Sequence, residues 1–361
     1  MVSVTTDGCP ALTGKNVGLL KRLSDKVAEV GCGKELIFLH CIIHQEVLCR
    51  KVLNMQHVVN PVVKIVNFIR AKGLNHRQFK TLLKNSDSDH NDIPYHTAVR
   101  WLSLGKVLDR VWELKPQIRQ FLEIKGKQND FPQFENTEWL SDFAFMVDLF
   151  GHMNELNTKL LGKDTFAYEL YFVVKAFRLK LKLFSRHLNE NNFTHFAKLE
   201  TTEPSVMTMK KYNNIIVSLD NEFGRRFADF QQLSEEFDIV SSPLTFDTEN
   251  APGNIQLELI ELQCDSTLKE KFKTERIDRF YALLNKSKFV NLKKMAMKLL
   301  VLFGSTYICE QTFSTMNINK SKLRSNLTDT NLQSLLRIST SNILPDIKQL
   351  VKNFDDPQMS H

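Results

Sequence analysis

Apolar positions recur at helical spacing through most of this 361-residue chain, and only two short stretches break the rule. Val2 to Thr6 and Glu35 to Leu39 read as strands, the second holding the run Leu36-Ile37-Phe38-Leu39, whose length suits a buried strand. Lys15 to Val30 follows the Gly14 turn as an amphipathic helix, and Ile43 to Ala71 reads as helix with a break or kink at Pro61. Gly73 to Pro94 begins as a short helix and turns polar over Asn85 to Asp92, a loop by composition. Trp101, Leu104, Val107, Leu108, Val111, Trp112 and Leu114 share one face of a long helix over Thr97 to Ile124, bent at Pro116. Further helices are expected at Trp139 to Leu160, Phe166 to Leu188 and Met207 to Leu233. A loop from Ser241 to Gly253 follows, then helices at Ser266 to Leu284, Asn291 to Phe303, Ser305 to Asn317 and Thr328 to Thr340. Thr328 is placed to start the last of these, just ahead of Leu332, Leu335 and Leu336.

Two strands make a poor sheet, because an isolated ribbon is marginal and its outer edge carries unpaired backbone groups. The pattern therefore predicts a mainly α protein with a small α/β part. Composition agrees, with 42% hydrophobic and 25% charged residues against 13 Gly and 10 Pro. No run of some eighteen apolar residues and no signal-peptide order is found, so the chain is read as intracellular, without a membrane partner. Six cysteines lack the spacing of a disulfide framework and are read as reduced thiols. A formal charge of +7 is compatible with nucleic acid without requiring it.

Candidate chemistry gathers in a few blocks. Phe303-Gly304-Ser305-Thr306-Tyr307-Ile308-Cys309-Glu310-Gln311-Thr312-Phe313-Ser314 sets a lone carboxylate, Glu310, in an apolar helix with Phe313 one turn away. Such a group is expensive to bury unless a cation needs it. Near the start stands Val4-Thr5-Thr6-Asp7-Gly8-Cys9-Pro10, then Leu39-His40-Cys41-Ile42-Ile43-His44, then His96-Thr97-Ala98-Val99-Arg100-Trp101. In that order, and ending at Glu310, the four blocks resemble the catalytic domain of hAT-superfamily DNA transposases. The match is to Charlie-type, host-adopted members, including the transposase-like tail of the general transcription factor II-I repeat proteins.

The resemblance implies an incomplete ribonuclease-H-like core interrupted by an all-helical insertion. Residues 1–96 would be the first part of the core, 97–253 the insertion, and 254–361 the return to the core with the dimerisation segment. Asp7 and Glu310 would be the second and third metal-binding acids. The family's first catalytic Asp lies on a strand well before the second, and only six residues stand ahead of Asp7 here; the family's zinc-binding BED finger is not found either. Two-metal phosphoryl transfer wants carboxylates that bridge and flank two divalent ions. Two acids hold Mg²⁺ poorly. The implied protein is a catalytically inactive, transposase-derived nuclear (or cytoplasmic) protein with no bound cofactor, or with Mg²⁺ if the ancestral activity survives.

Each candidate has a plain alternative. Asp7 before Gly8 also spells an ordinary turn, and Glu310 could pair with Lys320. Cys41 and His44 match the family's Cys-x-x-His pair; two ligands make no zinc site, and they read as a lock on the strand-to-helix join. Trp101 could be core, although the family stacks this Trp on a flipped base with the neighbouring Arg100 near phosphates. Lys320, Lys322 and Arg324 form a solvated loop or a phosphate contact. Leu332, Leu335 and Leu336 lie in the segment similar to the hAT dimerisation region, and cover either this chain or a second one. The function implied is a dimerisation and DNA-binding module, a homodimer or a hetero-oligomer with related hAT-derived proteins, in transcriptional regulation. The alternatives are a fragment of an active Mg-dependent transposase and a structural assembly protein that does not touch DNA.

Overall fold

The computed structural model describes residues 2–30, 36–86, 90–94, 101–162, 165–321, 324, 326–341 and 346–352, with the backbone alone at 101–103 and 350–352. It divides into two compact units, 1–305 and 306–361.

In the first unit, β1 (Ser3–Thr6) and β2 (Ile37–His40) pair in parallel, Ser3 opposite Ile37 and Thr6 opposite His40. These are the two expected strands, within two residues at each end. A parallel pair needs a crossover, and helix α1 (Leu19–Glu29) lies on it. At the carboxyl ends of the strands Thr6 and Leu39 are buried, whereas the rest of both strands is half-buried. The Thr5 hydroxyl donates to the Phe303 carbonyl, and the Ile42 N–H donates to the Gly304 carbonyl at 3.0 Å. Gly304 fits because a Cβ there would stand 2.8 Å from Leu170 and 3.1 Å from the Ala167 backbone.

Helix α2 (Ile42–Cys49) runs into a 3₁₀ turn, Arg50–Leu53, and stops at Asn54, whose φ of 46° is left-handed. Helix α3 (Gln56–Arg70) begins after it. The chain thus breaks at Asn54, not at Pro61 as the sequence suggested. Pro61 has no N–H for the His57 carbonyl, one helical turn back. The Trp139 indole fills that role, donating to His57 at 3.0 Å.

Helix α4 (Gly73–Asn85) is followed by α5 (Trp101–Glu113) and α6 (Lys115–Ile124). The bend expected at Pro116 is a full break at Leu114, with the proline in the first turn of α6, where its missing N–H costs nothing. Helix α7 (Thr137–Leu160) is capped by Asn136, which accepts the Trp139 N–H at 2.8 Å. Helix α8 (Ala167–Asn189) packs along α9 (Val206–Arg226), which starts where Ser205 accepts the Thr208 N–H. The helix expected to reach Leu233 ends at Arg226 and resumes as a single turn, Ala228–Gln231. Then come α10 (Ser234–Ser241), α11 (Gly253–Cys264), α12 (Ser266–Thr274), α13 (Ile277–Leu283) and α14 (Val290–Leu300). The apolar spacing did not predict α11. It buries Ile255, Leu259 and Leu262 while exposing Leu257 and Ile260, so apolar residues surround it and blur the period. The single helix expected over Ser266 to Leu284 is two, because Glu275 and Arg276 are extended.

The core of this unit is rich in aromatic rings. Phe145 stacks on Tyr212 at 4.2 Å and on Phe196 at 5.7 Å, and Phe79 meets Phe121 edge-on at 5.2 Å. Each such side chain contributes roughly 1.5–3 kcal/mol by leaving water. A charged pair is buried among them. Glu46 and Arg50 meet at 2.7 Å with both side chains fully inaccessible. Asn157 reaches Glu46 at 3.3 Å, and Arg50 reaches the Met153 carbonyl at 3.3 Å, so the pair ties α2 to α7. Burial pushes the Glu46 carboxyl up, and Arg50 opposes that shift. A second tie is Asp142, buried on α7, which accepts from Tyr212 at 2.9 Å and Lys211 at 2.7 Å and meets His57 at 2.7 Å.

The second unit holds α15 (Tyr307–Asn319), α16 (Asp329–Thr340) and α17 (Ile347–Lys352). Thr328 caps α16 as expected, its hydroxyl accepting the Asn331 N–H at 3.3 Å. Helix α15 buries none of its residues, and α16 buries Leu332 alone. The protein is mainly α with one small α/β corner, the class that the hydrophobic pattern indicated.

Candidate functional site

Side chains that could do chemistry meet at the carboxyl edge of the parallel strands, the position at which open parallel sheets commonly present ligand sites. β1 ends at Thr6 and delivers Asp7 to the surface. One carboxylate oxygen of Asp7 accepts the Cys9 N–H at 2.9 Å, closing an Asx turn. That hydrogen bond, with a smaller contribution from the nearby His44 imidazole, holds the Asp7 carboxyl below its ordinary range. Gly8 follows with φ +81°, and a Cβ there would stand 2.9 Å from the His40 ring. Glycine is therefore required twice over, by its backbone angle and by the imidazole beside it.

β2 ends at His40, and Asp229 of the turn Ala228–Gln231 grips it. The Asp229 carboxylate accepts the His40 N–H at 2.8 Å and stands 3.5 Å from the ring Nδ1, while its other oxygen accepts the Phe230 N–H at 3.0 Å. Hydrogen bonding to Asp229 raises the His40 pKa above 6.5. Cys41 is fully buried at the start of α2, and His44 is half-buried one turn on. Among the described residues no three His, Cys, Asp or Glu side chains converge as a metal site would need. One oxygen of Asp7 is committed to the Cys9 turn, and each oxygen of Asp229 already accepts a backbone N–H. The described carboxylates at this corner therefore present Asp7 as a single outward ligand group, fewer than the several oxygens a Mg²⁺ ion takes from protein and water together.

The residues singled out from the sequence fall in several places. Asp7, Cys41 and His44 share this corner. Arg100 and Lys322 lie outside the described residues, and Trp101 contributes only the first backbone position of α5. Glu310 belongs to the second unit, where it is exposed on α15 and meets the Thr306 hydroxyl at 3.5 Å. It is not a buried carboxylate. Lys320 pairs with Asp329 at 3.4 Å, not with Glu310, and Arg324 is exposed. Leu332 is buried, and Leu335 and Leu336 are half-buried.

A family model described as the FAM200/GTF2IRD2 helical domain matches residues 40–189, and one described as the hAT family C-terminal dimerisation region matches residues 263–340. The General transcription factor II-I repeat domain-containing protein 2 of Bos taurus is 39% identical over 340 residues, 94% of this chain and 36% of that protein. Its Mus musculus counterpart is 37% identical over 320 residues, 89% of this chain and 34% of that protein. The chain belongs with the hAT-derived, FAM200/GTF2IRD2-like proteins. It spans about a third of the length of the curated relatives it matches.

Within this FAM200/GTF2IRD2-like chain the helical-domain match begins at His40, where the Asp229 grip closes, and runs to the end of α8. The dimerisation region takes in α12 to α16. The Asp229–His40 pair is not legible in the sequence. His40 stands in one of the four blocks, but Asp229 lies 189 residues further on, and no local pattern links the two.

Proposed function

We propose that this chain is a transposase-derived, non-catalytic module that self-associates through its C-terminal helices, contacts DNA, and serves transcriptional regulation in the nucleus. The observation that carries the reading is the dimerisation region matched over 263–340, together with the apolar residues that its helices leave in water. Ile308 is 65% exposed, Phe313 60%, Ile318 78% and Ile338 70%. Apolar side chains left uncovered in a matched dimerisation region call for a partner surface, here a second copy or a related hAT-derived chain.

The parallel pair β1–β2, joined by a helical crossover, supports reading this corner as a remnant of a ribonuclease-H-like core, with the helical body as its insertion. Asp7 and Glu310 are then vestigial metal ligands. The names of the relatives speak of transcription, which supports a regulatory role over strand transfer and a nuclear location. No described helix is long and apolar enough to cross a membrane. DNA contact falls to Arg100 and Trp101 and to the basic run Lys320, Lys322 and Arg324. In solution the chain should run at twice its 41.8 kDa mass. It should leave hairpin and nicked DNA intact in Mg²⁺ or Mn²⁺. A monomer at micromolar concentration would overturn the association. Cleavage that disappears in both Asp7→Ala and Glu310→Ala would overturn the non-catalytic assignment in favour of an active transposase fragment.

A further inference from the structure

The basicity of this protein is concentrated in one acid-free segment. Residues 47–86 contain eight Lys and Arg and no Asp or Glu, while the rest of the chain holds 40 Lys and Arg against 41 Asp and Glu. The net positive charge of the whole molecule therefore resides in α3, α4 and their flanks. Arg50 is neutralised inside the core by Glu46, and Arg70 is largely covered, bonding Asp92 at 2.8 Å. The surface charge remaining in α4 is Arg77, Lys80 and Lys84.

These three stand at i, i+3 and i+7, on one face of the helix. The opposite face is pinned, since Asn75, Phe79 and Leu83 are buried. Phe79 meets Phe121 of α6, and the Asn75 amide donates to the Phe68 carbonyl at 3.0 Å. A fixed inner face holds the outer face in a fixed direction. Among the described residues Arg77 and Lys84 have no carboxylate within salt-bridge reach. The nearest described acid to Lys80 is Asp92 at 3.9 Å, already shared by Arg70 and by His76 at 2.8 Å. A cationic helix face that no described carboxylate neutralises is a surface for a polyanion.

We propose that the outer face of α4, through Arg77, Lys80 and Lys84, is a docking surface for the phosphate backbone of double-stranded DNA, separate from the basic run at 320–324. The proposal rests on the DNA-contact part of the function proposed above and adds a place to it. The stripe is about 10 Å long at 1.5 Å per residue, the rise of roughly three nucleotides along one strand. Phe79, the one Phe, Tyr or Trp of α4, is buried, and the His76 ring is held by Asp92 at 2.8 Å. The Arg77–Lys84 stripe thus offers no Phe, Tyr or Trp on which an unpaired base could stack, and that favours a duplex over a single strand. Contacts from such cationic side chains to phosphates position a backbone and read no sequence.

The test uses the full chain and a fluorescent duplex of random sequence titrated at several salt concentrations. Removing one phosphate-neutralising cation should flatten the plot of log K against log salt by about 0.9. The variant Arg77→Gln/Lys80→Gln/Lys84→Gln should therefore lower the slope by roughly 2 to 3, and should melt at the wild-type temperature because its altered side chains lie in water. Arg77→Lys/Lys84→Arg keeps the charges and should keep the slope. A Lys320→Gln/Arg324→Gln variant separates the two claims. If it flattens the slope while the α4 variant does not, the α4 surface is wrong and DNA contact by the tail stands. If the wild-type chain binds no duplex at all, both fall. Tighter binding of a single strand than of the duplex would also overturn the proposal.

Discussion

The helical body and the C-terminal helices of this chain both carry apolar side chains at helical spacing, with opposite outcomes. In the body Phe145, Tyr212, Phe196, Phe223 and their neighbours are sealed inside, and even a charged pair, Glu46–Arg50, is fully buried. In α15 and α16 Ile308, Phe313, Ile318 and Ile338 remain in water, and Leu332 alone is buried. The difference lies in neighbours. Helices α7, α8 and α9 each have partners on more than one side, so the apolar face of each finds a complementary face in the same chain. Among the described residues the tail helices leave these four side chains exposed.

If the body is self-sufficient, damage there should be costly without any partner. Replacing Arg50 by Ala leaves Glu46 buried and uncompensated, and unfolding in urea should show a loss of about 3–5 kcal/mol. Exchanging both members, Glu46→Leu with Arg50→Met, should recover most of that loss, and failure to recover would mean that the pair sets the packing of α2 on α7. Next in size is Trp139→Phe. It keeps an aromatic ring and removes the donor that reaches the carbonyl of His57, at an expected cost of about 1–3 kcal/mol. A neutral outcome would show that Pro61 needs no such compensation.

A smaller and pH-dependent effect is expected at the sheet corner. Because Asp229 raises the His40 pKa in the folded protein, the pair stabilises fully below about pH 6.5, the unfolded value, and that contribution is lost as pH rises through the folded pKa. The melting temperature of wild type minus that of Asp229→Asn should therefore be larger at pH 5.5 than at pH 8.5. An equal difference at both would mean that Asp229 acts only through the backbone N–H of His40. The smallest effect on stability belongs to the tail. Phe313→Glu should change the unfolding free energy of the body by less than about 0.5 kcal/mol, as for an exposed site.

The two regions also differ in how far the sequence disclosed them. Helices α7, α8 and α16 were legible to within a residue or two because their apolar spacing is regular and their starts are marked, by Thr328 in the case of α16. The two strands were legible because they are short apolar or β-branched runs outside the helical period. The break at Asn54 was hidden, since nothing local announces a left-handed asparagine while Pro61 advertises a kink that Trp139 makes unnecessary. Helix α11 was hidden by apolar residues on both its faces. At the candidate site Asp7 could be read from its block, whereas Asp229 could not, because fold alone brings it to His40. The exposure of Glu310 ran against the expectation that an acid in an apolar helix is buried: α15 as a whole buries nothing.

Sedimentation velocity of the full chain and of Phe313→Glu/Ile338→Glu, over a hundredfold range of concentration, tests the central claim most directly. The account predicts that the wild-type chain sediments as a dimer while the double variant stays monomeric with the circular dichroism of the wild type. A wild-type chain that remains monomeric throughout, or a double variant that dimerises as readily as the wild type, would contradict it.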